Sequence, residues 1–254
     1  TSRIDRAKSV MSAVGGVAAS VGKALLVVGG AALGVAAGFA VMVAKGALFA
    51  ESSLFGLTRF LGSSSLAKAE MAKLLAISNK LGVSFKDAVK TFTGFVSAGL
   101  IPSAARDMVK WRADLEALGS VPLDQIENGF QQIEKAIVSG RFEADGFNSV
   151  LKAIPGADKM KVIERIAKLT GKSIKELSGD VTKLPVKETI EAFKQLFLEG
   201  TNSAKLGDVA FKKATSTMGG LLNLIKTRAE NVFTTIGTKL APALGKTLLP
   251  LLKD

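Results

Sequence analysis

The residues from Ala24 to Ala44 carry no charge and lie between Lys23 and Lys45, and this run constrains the chain more than any other. As a helix its 21 positions would extend roughly 31 Å, close to the roughly 30 Å hydrocarbon core of a bilayer. Length therefore admits a membrane span. Composition weakens that reading, because Leu25, Leu26, Val27, Val28, Leu33, Val35, Phe39, Val41, Met42 and Val43 are mixed with many alanines and four glycines. Each large apolar residue contributes only about −0.3 to −0.6 kcal/mol to insertion, so insertion of this helix alone is marginal. Gly30, Gly34 and Gly38 recur every fourth residue on one helical face, each at a cost of about 1 kcal/mol relative to Ala. A penalty taken three times in register predicts a flat stripe against which another helix packs closely.

The first segment, residues 1–55, reads as one long helix or two end-to-end helices, apolar or small on nearly every side from Val10 onward. Such a helix is buried in protein or in lipid, and an oligomeric bundle and a membrane span stand as equal expectations. Arg3, Arg6 and Lys8 make the start basic, but the apolar run begins too late and is too long for a signal peptide. Glu51-Ser52-Ser53 is expected to end the run, and Gly62-Ser63-Ser64-Ser65 to form a loop.

Residues 56–200 have the character of an all-α domain of amphipathic helices separated by start and stop signals, with almost no strand-like alternation. Leu66, Met71, Leu74, Leu75 and Ile77 mark a helix that stops at Gly82. Ser84 with Asp87 reads as a capping box opening the next helix, which carries Phe85, Val89, Phe92 and Val96 and closes at Gly99 and Pro102. Met108, Trp111, Leu115 and Leu118 share a stripe that ends at Gly119. Trp111, the only tryptophan, is expected in the core, with Lys110 and Arg112 on a solvated flank. Pro122 suits a first helical turn, opening a helix with Ile126, Phe130, Ile133 and Ile137 that ends at Gly140. Shorter helices are expected around residues 142–154 and 160–169, and Lys168-Leu169-Thr170-Gly171-Lys172-Ser173-Ile174-Lys175-Glu176 echoes Lys80-Leu81-Gly82-Val83-Ser84-Phe85-Lys86-Asp87 as a helix end, a glycine turn and a Ser-initiated capping box, which convergence of turn signals explains better than true repetition.

The last segment, residues 201–254, is basic, helical and amphipathic. Met218, Leu222, Ile225, Ala229, Val232 and Ile236 step 4-3-4-3-4, the spacing of a coiled-coil seam. Leu240 and Leu244 extend it in steps of four, and Pro242 is expected to kink or end the helix. Packing on its own domain and self-association with copies of the same chain explain the seam equally well.

Chemistry has few candidates. There is no cysteine and no histidine, which removes disulfides, thiol chemistry, the commonest general base and the commonest metal ligands. The acids show no calcium-loop spacing, so neither metal nor cofactor is expected. Gly171-Lys172-Ser173 and Gly245-Lys246-Thr247 resemble half a phosphate-binding loop, but the required upstream glycine is replaced by Ile166 and Leu240. Glu143 with Asp145 is a close acid pair of the kind that is ordinarily solvated. A net charge of +12 points to acidic partners, while the lack of interleaved aromatic and basic residues argues against sequence-specific nucleic-acid binding.

In order along the chain, several stretches resemble the tail tape measure proteins of bacteriophages and related tailed particles. A Gly/Ala-rich apolar helix runs into Phe49-Ala50-Glu51-Ser52-Ser53-Leu54, followed by Leu57-Thr58 and the Gly62 turn. Then come Leu81-Gly82-Val83-Ser84-Phe85-Lys86-Asp87-Ala88, Ala98-Gly99-Leu100-Ile101-Pro102-Ser103, Ile137-Val138-Ser139-Gly140-Arg141-Phe142 and Leu151-Lys152-Ala153-Ile154-Pro155-Gly156. Ser216-Thr217-Met218-Gly219-Gly220-Leu221-Leu222 leads on to Ala241-Pro242-Ala243-Leu244, similar to the place where such proteins leave their compact helical domain. The resemblance implies a structural, non-enzymatic role. Copies of the chain would lie in the tail lumen against tail tube and tail tip proteins and set tube length. They would leave at infection, entering the host membrane as DNA crosses the envelope. The rival class is a pore-forming, bacteriocin-like helical protein that hides its apolar helix in an amphipathic bundle.

Overall fold

The computed structural model describes residues 34–248, all-α with no strand among them. Eleven helices follow in order: α1 Gly34–Leu61, α2 Ser64–Leu81, α3 Phe85–Ser97, α4 Pro102–Leu118, α5 Leu123–Ser139, α6 Ala144–Ala153, α7 Lys159–Thr170, α8 Ile174–Leu177, α9 Val186–Gly200, α10 Asp208–Ser216 and α11 Met218–Leu248. A 3₁₀ turn, Val181–Lys183, precedes α9. Gly56–Arg228 forms one compact unit, and the outer parts of α1 and α11 belong to a second.

Glycine ends most helices of the compact unit for one reason. Gly82, Gly119, Gly140 and Gly171 each adopt a left-handed conformation with φ near +70°, which closes the last turn and which a side chain would strain. At the other ends the chemistry varies. Ser173 and Glu176 form the expected capping box. Ser84 occupies the N-cap of α3 without any side-chain cap bond, so only half of the expected echo is present.

The prolines also differ from expectation. Pro102 opens α4 at its first position rather than closing α3, because a helix start has no use for the missing N–H. Pro122 is the N-cap of α5, its carbonyl accepting from the N–H groups of Gln125 and Ile126. Pro242 does not end α11, which remains helical to Leu248. Glu51-Ser52-Ser53 likewise does not end α1. Ser52 Oγ donates to the Phe49 carbonyl at 3.0 Å, so the serine bonds back onto its own helix, which continues to Leu61.

The core of the compact unit is built around α4, which packs on α2, α3, α5 and α10. Trp111 is fully buried, its ring centroid 5.4 Å from Phe130 and 6.4 Å from Phe197, with Phe95 edge-on to Phe130. Its indole N–H has no hydrogen-bond partner among the described residues. A second aromatic group, Phe142, Phe147 and Phe193, joins α6 to α9. Arg112 is not a solvated flank: it donates to Glu116 at 2.7 Å and to Thr91 at 3.2 Å, tying α4 to α3.

No helix among the described residues is long and apolar enough to cross a membrane, so the expected transmembrane helix finds no support there. Residues 24–33 of the apolar run, and Gly30 with them, lie outside the described residues. Gly34 opens α1 and Gly38 lies within it, four residues on.

Candidate functional site

The feature that stands apart from ordinary packing is α11. Its start is fixed by Thr217, whose Oγ1 accepts from the Gly220 N–H at 2.9 Å, and a side chain on Gly220 would collide with the Lys213 carbonyl of α10. The two helices therefore meet through a turn that only glycine permits. Beyond it, one face of α11 is anchored by polar groups. Asn223 Nδ2 donates to the Gly82 carbonyl at 2.9 Å, Thr227 Oγ1 to the same oxygen at 3.3 Å, and Arg228 Nε to the Asn79 carbonyl at 3.4 Å. These are carbonyls at the end of α2, where a helix leaves acceptors without partners of its own. Leu224 is buried among them and lies in van der Waals reach of Gly82.

The opposite face carries the predicted seam. Met218 is 74% exposed, Leu222 61%, Ile225 64% and Val232 51%, and Ala229 is exposed as well. The side chain of Ile236 lies outside the described residues. α11 thus turns Leu224 and Thr227 inward, with Asn223 and Arg228 bonding from the edges, and leaves the aliphatic residues of the predicted seam in the open. The sequence marked the seam, but it gave no sign of the anchor, because Asn223, Thr227 and Arg228 find acceptors about 145 residues earlier in the chain.

α10, which leads into α11, is held by another long-range contact. Gly207 has no side chain to cap it, and Asp114 of α4 does so instead, accepting from the Gly207 N–H at 2.5 Å and the Ala210 N–H at 2.8 Å. The φ of +95° at Gly207 brings the two donors round to one carboxylate, with the Leu81 methyls beside it. Asp114 is fully buried, and burial pushes its carboxyl up against the downward pull of those backbone donors. At the start of α4, Glu70 of α2 bonds Arg106 and, at 2.8 Å, Lys73. Burial acts to raise the Glu70 carboxyl, and the two cations together hold it below the usual range.

Among the described residues no group of acids could hold a metal ion. Glu143 of the acid pair is exposed and bonds Arg141 at 3.1 Å, while Gly171 serves to end α7. An open groove of about 710 Å³ between α9, α10 and the end of α4 includes Lys213, whose ammonium donates to the Ala117 carbonyl and so caps α4.

The sequence model of the family described as "Tape measure protein" matches residues 56–238, well over half of the chain. The chain belongs to the tape measure protein family. That match takes in the whole compact unit, the anchor of α11 and the seam from Met218 to Ile236. The family is one of structural phage-tail proteins, which agrees with the structural role implied by the sequence. No curated protein and no solved structure matches the chain.

Proposed function

We propose that this chain is the part of a tape measure protein that lies within a phage tail, together with copies of itself, and sets how long the tail tube grows. The observation that carries the reading is the family match over residues 56–238. The helical chemistry supports it: an α-helix rises 1.5 Å per residue and so converts chain length directly into distance. The net charge of +12 suits a lumen lined by acidic tube proteins, and the same charge would favour contact with tail tip proteins of like character. Release at infection, ahead of or alongside DNA, belongs to the same reading, and contact with the host membrane at that stage rests on the sequence of Ala24 to Ala44 alone. The pore-forming alternative rests on that run too, and the family match lends it nothing.

The test uses tails purified from the phage that encodes the chain. The protein should copurify with the tails and resist added protease until DNA ejection is triggered, after which it should be cut. Its absence from purified tails, or cleavage in intact ones, would contradict a place in the lumen.

A further inference from the structure

We infer that the turn at Thr217 is a conformational switch: α10 and α11, bent apart in this structure, join into one straight helix when the bend is released, and Gly220 selects the bent form. The inference goes beyond the proposed function and rests on it for its biological setting only. A single residue, Thr217, separates the two helices. Its backbone is extended, with φ −119° and ψ 146°, and no helical turn spans it. No proline lies between Asp208 and Leu221, so the sequence does not bar a helix from running through. Such a helix would pair the N–H groups of Met218, Gly219 and Gly220 with the carbonyls of Ala214, Thr215 and Ser216, three bonds that the bend forgoes. One hydroxyl stands in for them. Thr217 Oγ1 accepts from the Gly220 N–H at 2.9 Å and donates to the Lys213 carbonyl at 3.0 Å. That carbonyl sits where a Cβ on Gly220 would be, so the bend also depends on glycine there. In a straight helix a side chain at position 220 projects outward without a clash, and alanine is the better helix former.

The two sides of the turn are held unequally. α10 is fixed by the Asp114 carboxylate, by Ala210 packed with Leu81 and Ala113, and by Lys213 on the Ala117 carbonyl. Up to Arg228, α11 buries Leu224 and Thr227, and its bonds to α2 come from Asn223, Thr227 and Arg228. Those bonds join groups that water satisfies once they part, so their net hold is small beside their number. α11 therefore leaves α2 while α10 stays in place. Straightening adds residues 208–217, about 15 Å of helix, to the rod that α11 already forms.

Because the chain has no cysteine, pairs of spin labels can be attached at chosen sites of the full protein and their separation read by pulsed electron paramagnetic resonance. Lys86→Cys with Ile225→Cys, both at exposed positions, spans the anchor of α11, and Lys86→Cys with Thr215→Cys reports α10 alone. Ile225 lies eight residues beyond Thr217, a lever of about 12 Å. Straightening should lengthen the first distance by on the order of 10 Å and leave the second unchanged. A Cβ on Gly219 meets nothing, so the shorter distance should dominate in the parent and in Gly219→Ala. In Gly220→Ala the longer distance should outweigh the shorter roughly tenfold or more. Asn223→Ala with Thr227→Val loosens the anchor without touching the turn, and should raise the longer population about tenfold over the parent. The parental distance in Gly220→Ala, an equal shift in Gly219→Ala, a shift in the Thr215 control, or no rise in the anchor variant overturns the proposal. Each result is obtained on the purified chain and leaves the protease test of lumen occupancy to stand or fall separately.

Discussion

Replacing Asp114 tests whether α10 is held in place by a residue of α4. In Asp114→Ala the two N–H groups that the carboxylate satisfies, those of Gly207 and Ala210, remain on buried residues with no acceptor. Each buried donor left unpaired costs about 1–3 kcal/mol, and loss of a helix N-cap alone costs about 1 kcal/mol. Relief of the burial of a carboxylate offsets part of this, giving an expected loss of about 2–4 kcal/mol. Asp114→Asn keeps one acceptor oxygen and should lose about half as much. Trp111, one helical turn away and the only tryptophan, reports unfolding of the same core by fluorescence in urea. Linkage supplies a second readout. Burial raises the folded-state pKa of Asp114 above its unfolded value. Its titration therefore contributes stability that is fully present below the unfolded pKa and is lost as pH rises through the folded one. The stability gap between the parent and Asp114→Asn should shrink as pH rises across that window. A loss below about 0.5 kcal/mol for Asp114→Ala would refute the capping argument, and a gap that widens with pH would show that the backbone donors outweigh burial at this carboxyl.

Other perturbations separate the remaining contacts. Glu70→Gln should cost about 1.5–3 kcal/mol by weakening charge-assisted bonds to Arg106 and Lys73. Since the folded carboxyl is lowered, its contribution is present above the unfolded pKa and is lost as pH falls through the folded value, the opposite sense to Asp114. Urea midpoints of parent and variant should therefore converge in acid. Gly129→Ala places a Cβ 2.7 Å from the Cβ of Ala153, which cannot swing aside, and should destabilise the α5 to α6 contact by about 1–3 kcal/mol. Gly94→Ala meets only the carboxylate end of Glu134, which can turn to solvent. It should be neutral or stabilising by up to about 1 kcal/mol, and the burial-raised Glu134 carboxyl should fall back toward its ordinary range in an NMR titration. Equal losses in the two glycine variants would show that the difference in neighbours does not matter.

What could be read in the sequence was what depends on neighbouring residues. The ends of α2, α4, α5 and α7 were legible because Gly82, Gly119, Gly140 and Gly171 have a local reason to be glycine. The Ser173 and Glu176 box was legible for the same reason. Trp111 was expected in the core from its helical stripe, and it lies there. Signals that permit two outcomes misled. A serine can break a helix or bond back onto it, and Ser52 does the latter. A proline can close one helix or open the next, and Pro102 opens α4. Contacts across the chain were invisible. Nothing near Gly207 announces that its helix is capped by a residue 93 positions earlier, or that Asn223 and Thr227 finish α2. The 4-3 spacing of Met218, Leu222, Ile225, Ala229, Val232 and Ile236 was plain in the sequence, and the exposed face of α11 carries the first five. Their exposure was not legible, because that depends on which face the anchor claims.

The central claim is that length of helix in this chain is read out as length of tail. Inserting whole heptads into α11 beyond Arg228 preserves both the anchor and the register of the seam while lengthening the helix. Five heptads add about 50 Å at 1.5 Å per residue. Electron microscopy of tails from phage carrying the insertion should show a tube longer by about that amount, rounded to a whole number of rings. Tails of unchanged length, assembled with the lengthened chain inside them, would contradict the account.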